Sequence, residues 1–360
     1  MTGLTKISVE GYRSIRSLKN FELGPINVLI GPNGGGKSNF ISVFSLLSAL
    51  ANRRLNRFVG GCGGPDALLH GSRKKTTQIV IAVDFDTTSH LISFRALGDQ
   101  LSIQYEDEWI GVLPNLRERF VEAVQSDQEA ESDDNDPGPS RLRLQLRAWR
   151  VYHFHDTGLD AGMRNKQETR DNLRLKTDAA NLAPFLRMLR EKHIEHFDRI
   201  VDAVRMVAPF LSDFVYRPEA DERIDLEWFD TNDSETPRGP RQLSDGTLRF
   251  IALATVLLQP PEFQPDMIVI DEPELGLHPY AISVLATLIR RASESKQVIV
   301  STQSVELVNE FEAKDIIVAA LKDGESVFER LDQQALGDWL NDYALGELWK
   351  MNVIGGRPTR

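Results

Sequence analysis

The chain has 360 residues, 41% of them hydrophobic, which supports one large domain with an insertion or two domains. Its formal net charge of −11 excludes a protein that coats nucleic acid with its whole surface, because phosphate contacts need Lys and Arg; any DNA contact must be local or made through a partner. The single cysteine, Cys62, excludes an internal disulfide framework and fits a reducing cytosol.

In chain order, Lys6 to Val9 predicts a short strand, followed by Gly11-Tyr12-Arg13-Ser14-Ile15-Arg16. Ile26 to Ile30 is an apolar run of the kind a buried parallel strand shows. It leads into a Gly-rich loop, Gly31 to Ser38, and then a helix carrying Phe40, Ile41, Phe44, Leu46, Leu47 and Leu50. Gln78 to Tyr105 alternates in the manner of an antiparallel subsheet. Ser126 to Asp136 holds six acids and no base, then Pro137-Gly138-Pro139, a composition that predicts a mobile loop. Arg141 to Arg147 alternates Leu with Arg or Gln, which predicts a strand with Leu142, Leu144 and Leu146 on one face.

Asp178 to Asp213 reads as two or three helices. Strands at Met267–Ile270, Gln297–Ser301 and Ile316–Ala319, with helices between them, close the chain as α/β. The longest apolar helix candidate, Phe250 to Leu258, is about half the ~20 residues a membrane span needs. The N-terminus has no signal-peptide pattern. The expected location is the cytoplasm, with no membrane partner.

Gly31-Pro32-Asn33-Gly34-Gly35-Gly36-Lys37-Ser38 fits G-x-x-x-x-G-K-[ST] between a predicted strand and a predicted helix. Backbone N–H groups of such a turn form an anion nest, to which the helix N-terminus adds its positive end. Gly31, Asn33, Gly34, Gly35, Gly36, Lys37, Ser38 and Asn39 are therefore the candidate ATP-binding residues. Lys37 reaches the β- and γ-phosphates and Ser38 holds Mg²⁺. The apolar strand ending in Asp271-Glu272 supplies paired carboxylates at the edge where ligands of a parallel sheet gather. Asp271 is the second candidate metal ligand, and Glu272 the candidate general base. Before the helix at about Leu248 to Leu258, Ser244, Gly246 and the helix N-terminus form either a second anion site or an ordinary Ser N-cap.

Leu243-Ser-Asp-Gly-Thr247 resembles the ABC signature. Asp271-Glu-Pro-Glu-Leu-Gly-Leu-His-Pro279 resembles the Walker B and D-loop of the RecF/OLD branch, as do Ile7 to Arg16 and Ile26 to Asn33. The chain is thus similar to the RecF/SMC/OLD group of ABC-type ATPases, an AAA_21-like branch without coiled-coil arms or a Toprim domain. The resemblance implies an α/β P-loop NTPase of ABC/RecF type with an antiparallel β subdomain and a helical lid insertion. Residues 1–125 would be the N-terminal lobe, 126–140 the acidic loop and 141–177 return strands. Residues 178–241 would be the lid, 242–322 the C-terminal lobe and 323–360 the tail.

The resemblance also implies ATP and Mg²⁺, and a head-to-tail, ATP-dependent homodimer. Ser244 and Gly246 of one copy would grip the γ-phosphate held by the other, and Glu274 to His278 would run along the interface. Arg13 or Arg16 reaches the nucleotide or lies in a solvated loop. Where the group places a switch histidine this chain has Gln303, which can orient water but cannot become charged; slow turnover is expected. Gln303 joins Glu272 and Lys37 as the candidate catalytic set. The Q-loop position falls at Val151 to Thr157 and lacks Gln. There His153, His155 and Asp156 form either a metal site or a strand-end loop near the γ-phosphate.

The expected function is ATP-driven regulation of a DNA-directed process, DNA repair or antiviral defence against foreign DNA. A nucleotide-gated scaffold and the cytosolic ATPase of a transporter are the alternatives. About 40 residues follow Ala319, so a nuclease or other effector is expected on a separate chain. The apolar tail (Leu336, Trp339, Leu340, Tyr343, Leu345, Leu348, Trp349) either docks that partner or packs on its own core. Arg53, Arg54, Arg57, Arg73, Lys74, Lys75, Arg141, Arg143 and Arg147 are the candidate DNA contacts.

Overall fold

A hairpin opens the chain: β1 (Leu4–Tyr12) turns at Arg13–Ser14 into β2 (Ile15–Glu22), with Arg13 in the left-handed region at φ 49°. The computed structural model describes residues 3–110, 141–216, 222–337 and 339–355. These fall into two units, one of residues 1–150, 313–343 and 347–360, the other of residues 151–312 and 344–346. The acidic stretch 126–136 lies outside the described residues.

In the first unit β3 (Ile26–Ile30) is buried along Val28, Leu29 and Ile30, as its unbroken apolar run requires. It leads through the Gly-rich loop to α1 (Lys37–Ala51) and α2 (Leu55–Gly61). The antiparallel sheet expected from Gln78 onward forms as β4 (Gln78–Phe85), β5 (Thr88–Leu97) and β6 (Gln100–Ile110). It extends further than the alternation showed, since β1 and β2 join it in the order β2-β1-β4-β5-β6. Val9 pairs with Ile81 and Ile81 with Ile92.

The strand expected at Arg141–Arg147 is instead the helix α3 (Arg141–Leu146). Leu142 and Leu146, one helical turn apart, are buried, while Leu144 is 52% exposed. Leu, Arg and Gln are strong helix formers, and no β-branched or aromatic residue in the run favours a strand. A short strand, β7 (Trp149–Tyr152), follows.

The second unit, which takes over within β7, carries β8 (Gln167–Glu168), then α4 (Leu182–Lys192) and α5 (Ile194–Val207). The expected helical lid is helical only this far. β9 (Leu211–Val215), β11 (Glu227–Asp230) and β12 (Asp233–Arg238) make an antiparallel sheet ordered β12-β11-β9, and β10 (Arg223–Ile224) pairs with β8. Phe214 and Trp228 pair across β9 and β11 and are both buried, so aromatic cross-strand packing holds this sheet.

Helix α6 (Asp245–Leu258) is buried along nearly its whole length. It precedes β13 (Met267–Asp271), α7 (Pro279–Ser293) and β14 (Gln297–Ser301). β13 and β14 run parallel in register from Met267↔Gln297 to Asp271↔Ser301, which sets Asp271 and Ser301 side by side at the carboxyl ends. The short α8 (Val305–Val308) follows.

The chain then returns to the first unit. β15 (Ile316–Lys322) lies parallel to β3, pairing Ile316, Ile317 and Val318 with Val28, Leu29 and Ile30. It turns into β16 (Glu325–Arg330) through Asp323-Gly324, both at positive φ (52° and 80°), as a two-residue hairpin requires. The region expected to be a tail from residue 323 thus opens as a sheet strand. After it come α9 (Gln333–Leu336), α10 (Trp339–Asp342) and α11 (Leu345–Lys350). Leu336, Leu345 and Leu348 are buried, so much of the tail's apolar surface packs within its own chain.

Candidate functional site

The Gly-rich loop of the first unit is shaped by close approach. Gly31 (φ 145°), Gly34 (φ 81°) and Gly36 (φ 104°) hold conformations that side chains disfavour. A Cβ on Gly31 would strike the Ala319 carbonyl oxygen, and one on Gly36 would strike Ser326. β15 and β16 thus press on one side of the loop, while Asn33, Gly34 and Ser38 stay exposed on the other. Lys37 is buried, and its Nζ donates to the carbonyls of Gly31 (2.8 Å) and Pro32 (3.1 Å), which curls the loop around its own lysine. The N-terminus of α1 has no side-chain cap and no acidic residue in its first turn, so its positive end is not neutralised from within. Such a cradle fits an anion.

The β1–β2 turn leans on the same helix. Asn39 donates through Nδ2 to Ser14 Oγ at 2.6 Å, and Ser14 Oγ shares a hydrogen bond of 2.6 Å with Ser326 Oγ. Arg13 contacts Asn39 and the Cys62 sulfur, whereas Arg16 is engaged by Glu325 at 2.9 Å. Of the two arginines, the structure holds Arg13 against the loop's helix and turns Arg16 to an exposed ion pair.

In the second unit the end of β13 gathers three carboxylates. Asp271 accepts from the Ser301 hydroxyl. Glu272 follows at φ 45°, in the left-handed region, with its N–H bonded to the Ser301 carbonyl at 2.9 Å. That turn lets the Gln303 side-chain amide donate to Glu272 Oε1. Glu274 is buried, and one of its oxygens accepts from Thr302 Oγ1 (2.6 Å) and from the Gln303 N–H (2.9 Å). Burial raises the Glu274 pKa against the opposing pull of those two donors, and its other oxygen, Oε2, has no hydrogen-bond partner.

Beside Asp271, His155 bonds to its main-chain carbonyl at 3.0 Å, and partial desolvation of the His153 ring by its neighbours lowers its pKa against the attraction of the Asp271 carboxylate. Asp156, grouped with these histidines by sequence spacing, turns away to cap the Gly158 N–H, and Asp271 takes its place in the cluster.

Ser244 is the N-cap of α6, its hydroxyl accepting from the Thr247 N–H at 3.1 Å, so the ordinary capping role is realised. The residue remains exposed. Gly246 is closed to any side chain by the Gly276 carbonyl, which locks the start of α6 to the segment after Glu274. Two buried arginines hold this corner. Arg164 donates to the carbonyls of Thr157, Pro240 and Leu243 and to the Asp245 carboxylate at 2.6 to 3.1 Å. Arg249 donates to the carbonyls of Phe154, His155 and Leu275.

The structure therefore brings Asp271, Glu272 and Gln303 together, and separately Gly31 to Asn39. Ser301, Arg164 and Arg249 escaped the sequence reading. Arg249 had a signal, a lone charge in the apolar run Leu248–Leu258; Ser301 and Arg164 had none, since their partners lie 30 and 81 residues away.

The fold and the loop at Gly31–Ser38 define the class: a P-loop ATPase of mixed α/β, with a fold like that of ABC and SMC heads. Residues 26–309 match the family AAA_21, described as "AAA domain, putative AbiEii toxin, Type IV TA system", and the chain belongs to that family. Among curated proteins it is 33% identical over 102 residues to "Energy-coupling factor transporter ATP-binding protein EcfA2" of Mycoplasmopsis synoviae, covering 28% of this chain and 30% of that protein. It is 35% identical over 79 residues to "Putative ABC transporter ATP-binding protein GSU1281" of Geobacter sulfurreducens, covering 22% and 29%. The match thus spans less than a third of either relative's length.

Among solved structures it is similar to an Smc head bound to the C-terminal winged-helix domain of ScpA, with TM-score 0.56, 16% identity and coverage of 92% and 99%. An Smc head from Pyrococcus furiosus with an extended coiled coil, bound to the C-terminal domain of ScpA, gives TM-score 0.52, 16% identity and coverage of 95% and 99%. At that identity the likeness is one of fold. No helix among the described residues is long and apolar enough to cross a membrane.

Proposed function

We propose that this protein binds ATP with Mg²⁺ and hydrolyses it slowly as an ATP-dependent homodimer, and that closure of the dimer regulates a DNA-directed process through a separate effector. The observation that carries the chemistry is the hydrogen bond from the Gln303 amide to Glu272 Oε1. It orients the carboxylate and leaves its second oxygen to accept a proton from an attacking water. Ser38 and Asp271 would hold Mg²⁺, which would neutralise charge across the phosphates. The fit rests on the exposed Ser38 hydroxyl at the uncapped N-terminus of α1, and on a carboxylate oriented by Ser301.

Gly31 to Gly36 would supply backbone donors, with Asn33 and Asn39 at the rim, and Lys37 would turn from its loop carbonyls to the phosphates. Ser244 and Gly246 of a second copy would meet the γ-phosphate, Glu274 to His278 lining the interface. Gln303 stays neutral while it serves Glu272, which supports slow turnover. The same tie favours the second reading, a nucleotide-gated scaffold that hardly hydrolyses.

The family's description, which speaks of a toxin of a type IV system, supports defence over repair. Transport draws on relatives that match only segments of 102 and 79 residues of this chain. Direct DNA contact rests on fewer residues than the sequence offered. Arg141 and Arg143 face Glu108 and Glu106 in ion pairs, Arg147 donates to the Ala51 carbonyl, and Arg73 pairs with Asp66. Exposed Arg54, Arg57, Lys74 and Lys75 are the candidates that remain. A separate effector would find Trp339 and Tyr343, 48% and 40% exposed with their rings in contact, on the tail.

Phosphate release under Mg-ATP tests this function. Glu272→Gln should bind ATP as the wild type does while turnover falls by about 10²–10⁴-fold, the usual share of a general base. Equal turnover in both proteins would remove Glu272 from the mechanism. Bound ATP with no wild-type turnover would select the scaffold.

A further inference from the structure

We infer that His153, His155 and Asp271 form a binding site for a transition-metal dication of the Zn²⁺, Co²⁺ or Ni²⁺ class, distinct in chemistry from the Mg²⁺ of the nucleotide. One ligand atom from each residue lies within 4.8 Å of the other two. Two of the three come from one extended segment. Alternate residues past β7 project to the same side of the chain, so His153 and His155 face together while buried Phe154 points inward.

Local hydrogen bonds fix the arrangement. The His155 ring is held by the Asp271 carbonyl at 3.0 Å, the backbone of residues 154 and 155 is held by the Arg249 guanidinium, and the Asp271 carboxylate accepts from Ser301. Bonds of this kind orient metal ligands from behind. Both imidazoles are exposed, so an ion has a path to them. Metal–nitrogen bonds of about 2.0–2.1 Å in a tetrahedral site require the three ligand atoms to draw together by up to about 1.5 Å, within reach of side-chain rotation on an exposed surface.

The donor set selects the ion. Mg²⁺ demands oxygen ligands in octahedral geometry, whereas neutral imidazoles suit zinc and its first-row neighbours. Three protein ligands leave at least one position open to water, the pattern of a reactive or regulatory site rather than a closed structural one. Because Asp271 is also the proposed Mg²⁺ ligand, occupancy by the transition ion withdraws it from the nucleotide. The chain's ATPase would then be inhibited by that ion. This last consequence rests on the nucleotide reading; the binding site does not.

The test uses the full chain without nucleotide, carrying Cys62→Ser so that no thiol competes. Co²⁺ is added and its visible absorption recorded, and Zn²⁺ binding is measured by calorimetry. One equivalent should bind, with Mg²⁺ unable to displace it. His153→Ala and His155→Ala should each weaken binding on the order of 10-fold or more, at least as much as loss of an outer-shell partner costs. His153→Gln and His155→Gln repeat the test with bulkier side chains, and ATP binding by the same variants shows that they are folded.

No saturable Co²⁺ or Zn²⁺ binding, or affinity unchanged in both histidine variants, would overturn the proposal while leaving the nucleotide reading intact. Metal binding in a protein that fails to bind ATP would support the site and strike the nucleotide reading instead.

Discussion

Replacing Gly36 by Ala adds one carbon to the phosphate loop, and the structure shows what it meets. Gly36 caps α1 at φ 104°, ψ 5°, a left-handed conformation that costs an L-residue roughly 1–2 kcal/mol. The new Cβ would stand 2.6 Å from the Ser326 Cβ and closer still to its hydroxyl. Ser326 has little room to retreat. It is 4% exposed, its N–H donates to the Ser14 carbonyl at 2.8 Å, and its hydroxyl is bonded to Ser14 Oγ. Overfilling a packed site of this kind adds about 1–3 kcal/mol.

The expected loss is therefore about 2–5 kcal/mol, read as a lower urea midpoint in denaturation followed by circular dichroism. A second variant separates the two terms. Ser326→Gly removes the obstacle and leaves the backbone strain, so the double variant should recover about 1–3 kcal/mol relative to the sum of the single changes. Gly36→Ala at a cost below about 0.5 kcal/mol, within the range of an unremarkable surface change, would refute the reasoning. So would strictly additive single changes.

Glu274→Gln tests the buried carboxyl. A carboxyl whose folded pKa is raised contributes stability that is complete below its unfolded value and is lost as pH rises through the folded value. Gln copies the neutral form, so the variant should gain on the wild type as pH is raised from acid to neutral in thermal melts; a difference that does not change with pH would contradict this. Arg164→Leu strips donors from three carbonyls and the Asp245 carboxylate. Because that carboxylate is largely exposed, the cost should come mostly from the carbonyls, roughly 2–4 kcal/mol, with faster proteolysis near residue 242 as the companion readout; an unchanged cleavage pattern would count against the anchoring role. Gln303→His places a group that can carry charge beside Glu272 and should raise phosphate release; an unchanged rate would mean that Gln303 does not limit turnover.

The parts of the fold legible in the sequence are those whose signals are local. Ile26–Ile30 reads as a buried strand because every residue that matters is apolar, and the glycines after it announce a loop that no side chain could follow. The alternation from Gln78 onward shows the antiparallel sheet, but not that β1 and β2 extend it, because they join through a β1–β4 pairing that spans some 70 residues of chain. At Arg141–Arg147 periodicity misled, because three leucines two apart satisfy a strand while two of them four apart satisfy a helix; burial of Leu142 and Leu146 decided it. Asp323-Gly324 is a strong hairpin signal, lying at the start of the expected tail.

The candidate site divides the same way. Gly31–Ser38 and Asp271-Glu272 are contiguous and stood out. Ser301, Arg164 and the replacement of Asp156 by Asp271 beside the histidines depend on contacts between distant segments, which composition and spacing do not encode.

The most direct test of the central claim is light scattering on the wild type and on Glu272→Gln, each with and without Mg-ATP. Glu272→Gln, unable to hydrolyse the nucleotide, should accumulate as a dimer only when ATP is present, and Ser244→Arg in the same background should abolish that dimer. A particle of unchanged mass in every condition, with ATP shown to be bound, would contradict the sandwich and return Ser244 to the role of a simple helix cap.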